Sequence, residues 1–181
     1  MRIDPPTPLT TKGCYCTHSH CLTPVLYYGS AKRSTVLQMP DLRKSFDIKA
    51  KDFVKAGEVS LQVQRILKTI GFEPALVRRV SVCAYEGEMN IVMHGGNGAL
   101  LLTLDPAEII MELKDGGPGI ENVDMALQEG FSTATDEYRE MGFGAGMGLP
   151  NIEKNSDSLE IRSEKGKGTY LKVCFRVDED S

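Results

Sequence analysis

Glu86, Asn90 and His94 recur at four-residue intervals in a stretch that runs from Pro74 to the glycine pair Gly95-Gly96. Pro74 suits a first helical turn and the glycines a stop, so a helix is predicted over Pro74–His94. On such a helix the three polar side chains project from one face, stacked a turn at a time. Leu76, Val80, Val82, Cys83 and Ala84 fall on the other faces and are expected to be core. A carboxamide oxygen is a hard, neutral ligand suited to Mg²⁺. A carboxylate one turn away can accept the proton of an attacking hydroxyl. Polar residues at helical spacing are also how a merely solvated face reads, so this face needs company before it means chemistry.

Company comes from two glycine-rich stretches. Asp115-Gly116-Gly117-Pro118-Gly119 follows a predicted strand. The Asp115 carboxylate, acceptor-only when ionised, suits an exocyclic amine, although a tight Asp-Gly turn would be written the same way. Gly142-Phe143-Gly144-Ala145-Gly146-Met147-Gly148 runs straight into Leu149-Pro150-Asn151. Alternate glycines uncover peptide N–H groups, and a helix starting near Leu149-Pro150 would aim them outward at its positive end, as an anion site requires. A flexible linker is the alternative, and Pro150 with its helix counts against it. Neither Gly142 nor Gly144 begins a G-x-G-x-x-G, so this is no dinucleotide fingerprint. Gly166-Lys167-Gly168-Thr169 ends like a P-loop, but position 161 is Ile where a P-loop needs glycine.

The elements that must position these residues lie in the second, larger part of the chain. Of 181 residues, 41% are hydrophobic and 25% charged, the balance of one globular domain. Residues 1–39 are rich in Pro, Ser and Thr without periodicity and are expected to form a poorly ordered tail, leaving 40–181 as the folded domain. The tail carries four bases and one acid; the rest carries 17 bases and 24 acids. An acidic body argues against nucleic acid as partner. No apolar run approaches the roughly 18 residues that cross a bilayer, and no secretory leader is evident, so a cytoplasmic protein without membrane contact is expected. Cys14, Cys16, Cys21, His18 and His20 have zinc-ligand chemistry at spacings that fit no usual zinc motif. Cys83 and Cys174 are expected to be buried, inert thiols. An edge strand over Ser45–Lys51 would put Phe46 and Ile48 on one face. Asp52 would then cap a helix whose stripe is Val59, Val63, Ile66, Leu67 and Ile70, with Gly71 ending it. Strands are expected at Ala99–Asp105, Glu108–Lys114, Leu159–Ser163 and Thr169–Val177. The class is α+β: a two-layer sandwich of a mixed, mostly antiparallel sheet with helices on one face.

Taken in order, E-x-x-x-N on a helix, D-x-G-x-G, a glycine-alternating loop and G-x-G-T resemble the boxes of the GHKL, or Bergerat-fold, ATPases. The resemblance covers residues 42–177. It implies ATP and Mg²⁺ as cofactors, with Asn90 the metal ligand and Glu86 the catalytic base. Asp115 would read adenine, with Gly117 and Gly119 shaping that wall and Thr169 supporting the contact through water. Gly142, Gly144, Gly146 and Gly148 would hold the phosphates beneath a mobile lid at about Gly130–Met141. Without the dimerising helices of sensor kinases or a second domain, the chain is most similar to the small anti-sigma-factor serine kinases and the switch kinases of stress signalling. Glu86, Asn90 and His94 match the pattern E-x-x-x-N-x-x-x-H of that group. Asp136-Glu137-Tyr138-Arg139-Glu140 departs from it as a longer, more charged lid. The resemblance implies phosphorylation of a Ser or Thr on a small STAS-domain antagonist, with a sigma factor as a further partner. Homodimers occur in that group. The alternative is a module that sequesters its partner in an ATP-dependent way without kinase activity.

Overall fold

The computed structural model describes residues 42–140 and 142–177. The zinc-type cluster and the expected tail lie outside the described residues. Five strands and three longer helices carry the architecture, in the order β1 (Leu42–Ile48), α1 (Glu58–Ile70), α2 (Pro74–Met93), β2 (Gly98–Leu104), β3 (Glu108–Asp115), α3 (Val123–Ala126), α4 (Asp136–Glu140), α5 (Gly148–Asn155), β4 (Ser158–Glu164) and β5 (Gly168–Arg176). The strands form one sheet ordered β1-β2-β3-β5-β4, antiparallel at every pairing. The expected mixed, mostly antiparallel sheet is thus antiparallel throughout.

Strand alternation sets the core. Leu100, Leu102 and Leu104 on β2, Ile109, Met111 and Leu113 on β3, and Leu171, Val173 and Phe175 on β5 all point to one face. Val59, Val63 and Leu67 of α1, the apolar face of α2, and Leu149 and Ile152 of α5 cover it. The α+β sandwich with helices on one face is therefore present. Gly87 lets α2 lie close on the sheet, because a Cβ there would stand 2.5 Å from Leu113 Cδ2. No described helix is long and apolar enough to cross a membrane.

The first edge of the sheet differs from expectation. β1 starts at Leu42 and stops at Ile48 rather than spanning Ser45–Lys51, though Phe46 and Ile48 are buried together as expected. Asp52 accepts a bond from the Lys55 N–H within a turn and does not cap α1. The cap comes from α2: the Glu88 carboxylate, 2% exposed, accepts the N–H groups of Gly57, Val59 and Ser60 at 3.0, 3.1 and 2.9 Å. A local cap is unnecessary when a buried anion from the next helix satisfies the same donors and the positive helix end. Replacing that anion with a group that itself carries donors should cost about 2 kcal/mol. Chemical denaturation of Glu88→Gln is expected to show that loss, and an unchanged midpoint would deny Glu88 its capping role.

Of the two body cysteines, Cys83 is fully buried and burial pushes its thiol up to about 12. Cys174, on the open face of the sheet, is only half-buried; its alternation in β5 opposite to Val173 and Phe175 corrects the expectation that both are core.

Candidate functional site

Three elements meet at the C-terminal end of α2. Glu73 caps the start of this helix, its carboxylate accepting the Ala75 and Leu76 N–H groups at 2.6 and 3.1 Å. The register of α2 then carries Glu86, Asn90 and His94 to one side, where all three line a cavity of about 1090 Å³. Pairing of β3 with β2 and β5 sets Asp115 opposite Gly98 and Thr169, and Asp115 and Thr169 line the same cavity. Gly142, Gly144, Gly146 and Gly148 line it from the far side with the start of α5. The expected convergence of Asn90 and Asp115 on one hollow is therefore present. Gly119 also lines it; Gly117 does not, because it packs behind the wall against Gly95 and Gly96.

Asp115 Oδ1 accepts the Gly117 N–H at 2.7 Å, closing the turn and aiming the carboxyl group toward the end of α2. A Cβ on Gly95 would stand 3.1 Å from Asp115 Cγ. Gly95 lies nine residues beyond Glu86, about 13 Å along a helix, so the two carboxylates stand at separated ends of the cavity. Gly168 holds this corner: at φ 89 its backbone passes so close to Asp115 O that a side chain has no room. The Thr169 hydroxyl is 3.0 Å from Ser163 Oγ. Ser163 Oγ donates to Gly168 O at 3.0 Å and accepts the Ile120 N–H at 2.7 Å. With its one proton committed to Gly168, Ser163 accepts from Thr169, whose oxygen keeps its lone pairs for the cavity.

The other end is built by the glycine loop. Gly146 has φ 72 and passes 2.5 Å (measured from an added Cβ) from Gly130 C, a path that side chains rarely follow. α5 starts at Gly148, one residue before the expected Leu149. Its first-turn N–H groups lack intrahelical partners, and Gly148 and Leu149 line the cavity. A Cβ on Gly148 would stand 3.1 Å from Asn90 Oδ1 and 3.5 Å from Glu86 Oε2, so the bare backbone gives these oxygens their space. The Asn90 carboxamide oxygen beside a helix N-terminus suits a hard divalent cation carrying phosphate oxygens, with the Glu86 carboxylate one turn away. The donor set therefore fits Mg²⁺.

The segment expected as a lid borders the cavity through Phe131, Ser132, Thr133, Thr135 and Tyr138. Tyr138 packs on Phe53 at 5.7 Å and edge-on against His94 at 6.2 Å, and Phe143 lies 6.2 Å from Phe53. Burial lowers the proton affinity of His94, which favours its neutral form at neutral pH.

Three participants had no sequence signal of their own. Asn151 donates from Nδ2 to Glu86 Oε1 at 2.7 Å, Ser163 orders Thr169, and Phe53 meets Tyr138 of the segment expected as a lid. Asn151 lies in the stretch read only as a helix start, and its contact depends on how α5 packs against α2.

A family model described as the histidine kinase-, DNA gyrase B-, and HSP90-like ATPase matches residues 75–180. The anti-sigma F factor of Clostridium acetobutylicum is 31% identical over 108 residues, 56% of this chain and 72% of its own length. The anti-sigma F factor of Clostridium kluyveri is 34% identical over 97 residues, 51% of this chain and 65% of its own. The serine/threonine-protein kinase RsbT of Bacillus subtilis is 26% identical over 126 residues, 67% of this chain and 86% of its own.

Proposed function

The chain belongs to the histidine kinase-, DNA gyrase B- and HSP90-like ATPase family, and from that membership we propose that it is an ATP-dependent anti-sigma regulator that phosphorylates a Ser or Thr of a small protein partner. The observation that carries the kinase part is the position of Glu86. It lines the cavity and also, with Tyr85, a second groove of about 770 Å³ between α1 and α2. A carboxylate open to both places can meet a hydroxyl arriving on another protein, which a purely sequestering module does not require. Relatives named as anti-sigma factors and as a serine/threonine kinase support the partner class, and a STAS-domain antagonist is the acceptor proposed, with a sigma factor as a second partner.

In this reading Asp115 accepts from the exocyclic amine of adenine, and Thr169 supports that contact from β5. The N–H groups of the glycine loop and the first turn of α5 hold the phosphates, and Gly119 and Gly117 keep the base wall close. Asn90, with phosphate oxygens, would hold Mg²⁺, which supplies charge neutralisation when bound. Glu86 takes the proton of the acceptor hydroxyl. The hydroxyl oxygen bonds to the γ-phosphorus, the bond from that phosphorus to its bridging oxygen breaks, and ADP leaves with the electron pair. Most of the rate comes from positioning and fixed dipoles, since the transferring group needs little covalent help.

Incubation with γ-labelled ATP and a panel of STAS-domain proteins tests this. Label on a Ser or Thr of one of them is expected. Stable ATP-dependent complexes with no labelled protein would favour the sequestering alternative.

A further inference from the structure

The geometry points to Asn151 as the residue that positions Glu86 for proton transfer. This rests on the kinase reading above, in which Glu86 is the base. Among the described residues, the hydrogen bond recorded for the Glu86 carboxylate is the one from Asn151 Nδ2 to Oε1. An ionised carboxylate only accepts, so the Asn151 amide presents its N–H side and the orientation is set. Oε2 is left beside Gly148, on the cavity side. One oxygen is thus held and the other is free to receive a proton.

The contact belongs to a ladder between α5 and α2. Gly148 lies against Asn90, Asn151 bonds Glu86, and Asn155 O accepts from Arg79 Nε at 2.9 Å. Asn155 Nδ2 in turn donates to Asn151 O at 2.8 Å, and Arg79 bonds Asp157 at 2.7 Å. The positions descend along α2 as they ascend along α5. Because α5 continues directly from the glycine loop, the loop proposed to hold the phosphates and the side chain that aims the base are contiguous in the chain. A carboxylate without that tether samples several rotamers, and a misplacement of about 1 Å costs on the order of 100-fold in rate. Asn151 touches no reacting atom and acts through Glu86.

Two variants test the role. Asn151→Asp keeps size and shape but only accepts; Asn151→Ala removes the group. ADP formation from Mg-ATP, with water standing in for the acceptor hydroxyl, is measured in each, alone and combined with Glu86→Gln. Both variants should lose about 10- to 100-fold in kcat with KM for ATP within about twofold. In the Glu86→Gln background neither should cause further loss, because a residue that acts only by aiming the base has nothing left to aim. Undiminished kcat, equal losses in both backgrounds, or failure of both variants to bind Mg-ADP would each overturn the positioning role while leaving the kinase reading intact. A parent chain that binds Mg-ADP yet neither forms ADP nor transfers label to any STAS-domain protein contradicts the base role of Glu86, and the role of Asn151 falls with it.

Discussion

Glu86→Gln is expected to bind Mg-ADP as the parent chain does and to lose phosphoryl transfer by about 10²- to 10⁴-fold, the range that a positioned general base contributes. The substitution is nearly isosteric and keeps an oxygen for the Asn151 N–H, so the ladder between α2 and α5 survives while the proton acceptor is gone. The groove and the cavity keep their shapes, because Glu86 sits at their edge and not in the core. Transfer of labelled phosphate to a STAS-domain acceptor, measured alongside a binding titration, separates the two effects. Undiminished transfer in the variant would remove Glu86 from the chemistry.

Asp115→Asn should weaken ATP binding by about 10- to 150-fold, the worth of a hydrogen bond to a charged group in a partly dry site. The variant keeps an acceptor for the Gly117 N–H, so the turn closes as before. Its amide N–H now faces the purine amine, donor against donor. Inosine triphosphate, which carries a carbonyl in place of that amine, should bind the variant better than ATP does, reversing the parent's preference. This reversal is the more telling half, since a damaged turn would weaken both nucleotides alike. An unchanged ATP-to-inosine-triphosphate ratio, measured by competition, would show that Asp115 does not read the base.

What the chain displays in its order of residues is what repeats locally. The four-residue spacing of Glu86, Asn90 and His94 is a property of one helix, and the structure keeps all three on the cavity wall. Asp115 and the glycine loop were legible because turns and helix ends demand particular residue types at particular places. The start of α1 differs from expectation, since Asp52 offers a local cap that the fold replaces with Glu88, some thirty residues away in sequence. Asn151 and Ser163 carry no local signal for the same reason. Each acts on a residue of another element or across a sheet pairing, and nothing in its immediate neighbours records that partner. The segment expected as a lid stands out by charge, yet its aromatic contacts with Phe53 and His94 depend on three segments meeting.

Calorimetric titration with Mg-ADP addresses the central claim most directly, that Asn90 on α2 and Asp115 on β3 grip one nucleotide from two sides. One molecule bound per chain is expected, with binding abolished by chelation of the metal or by Asn90→Ala, and weakened at least tenfold by Asp115→Asn. A parent chain that gives no saturable heat, or two variants that bind as tightly as the parent, would contradict it.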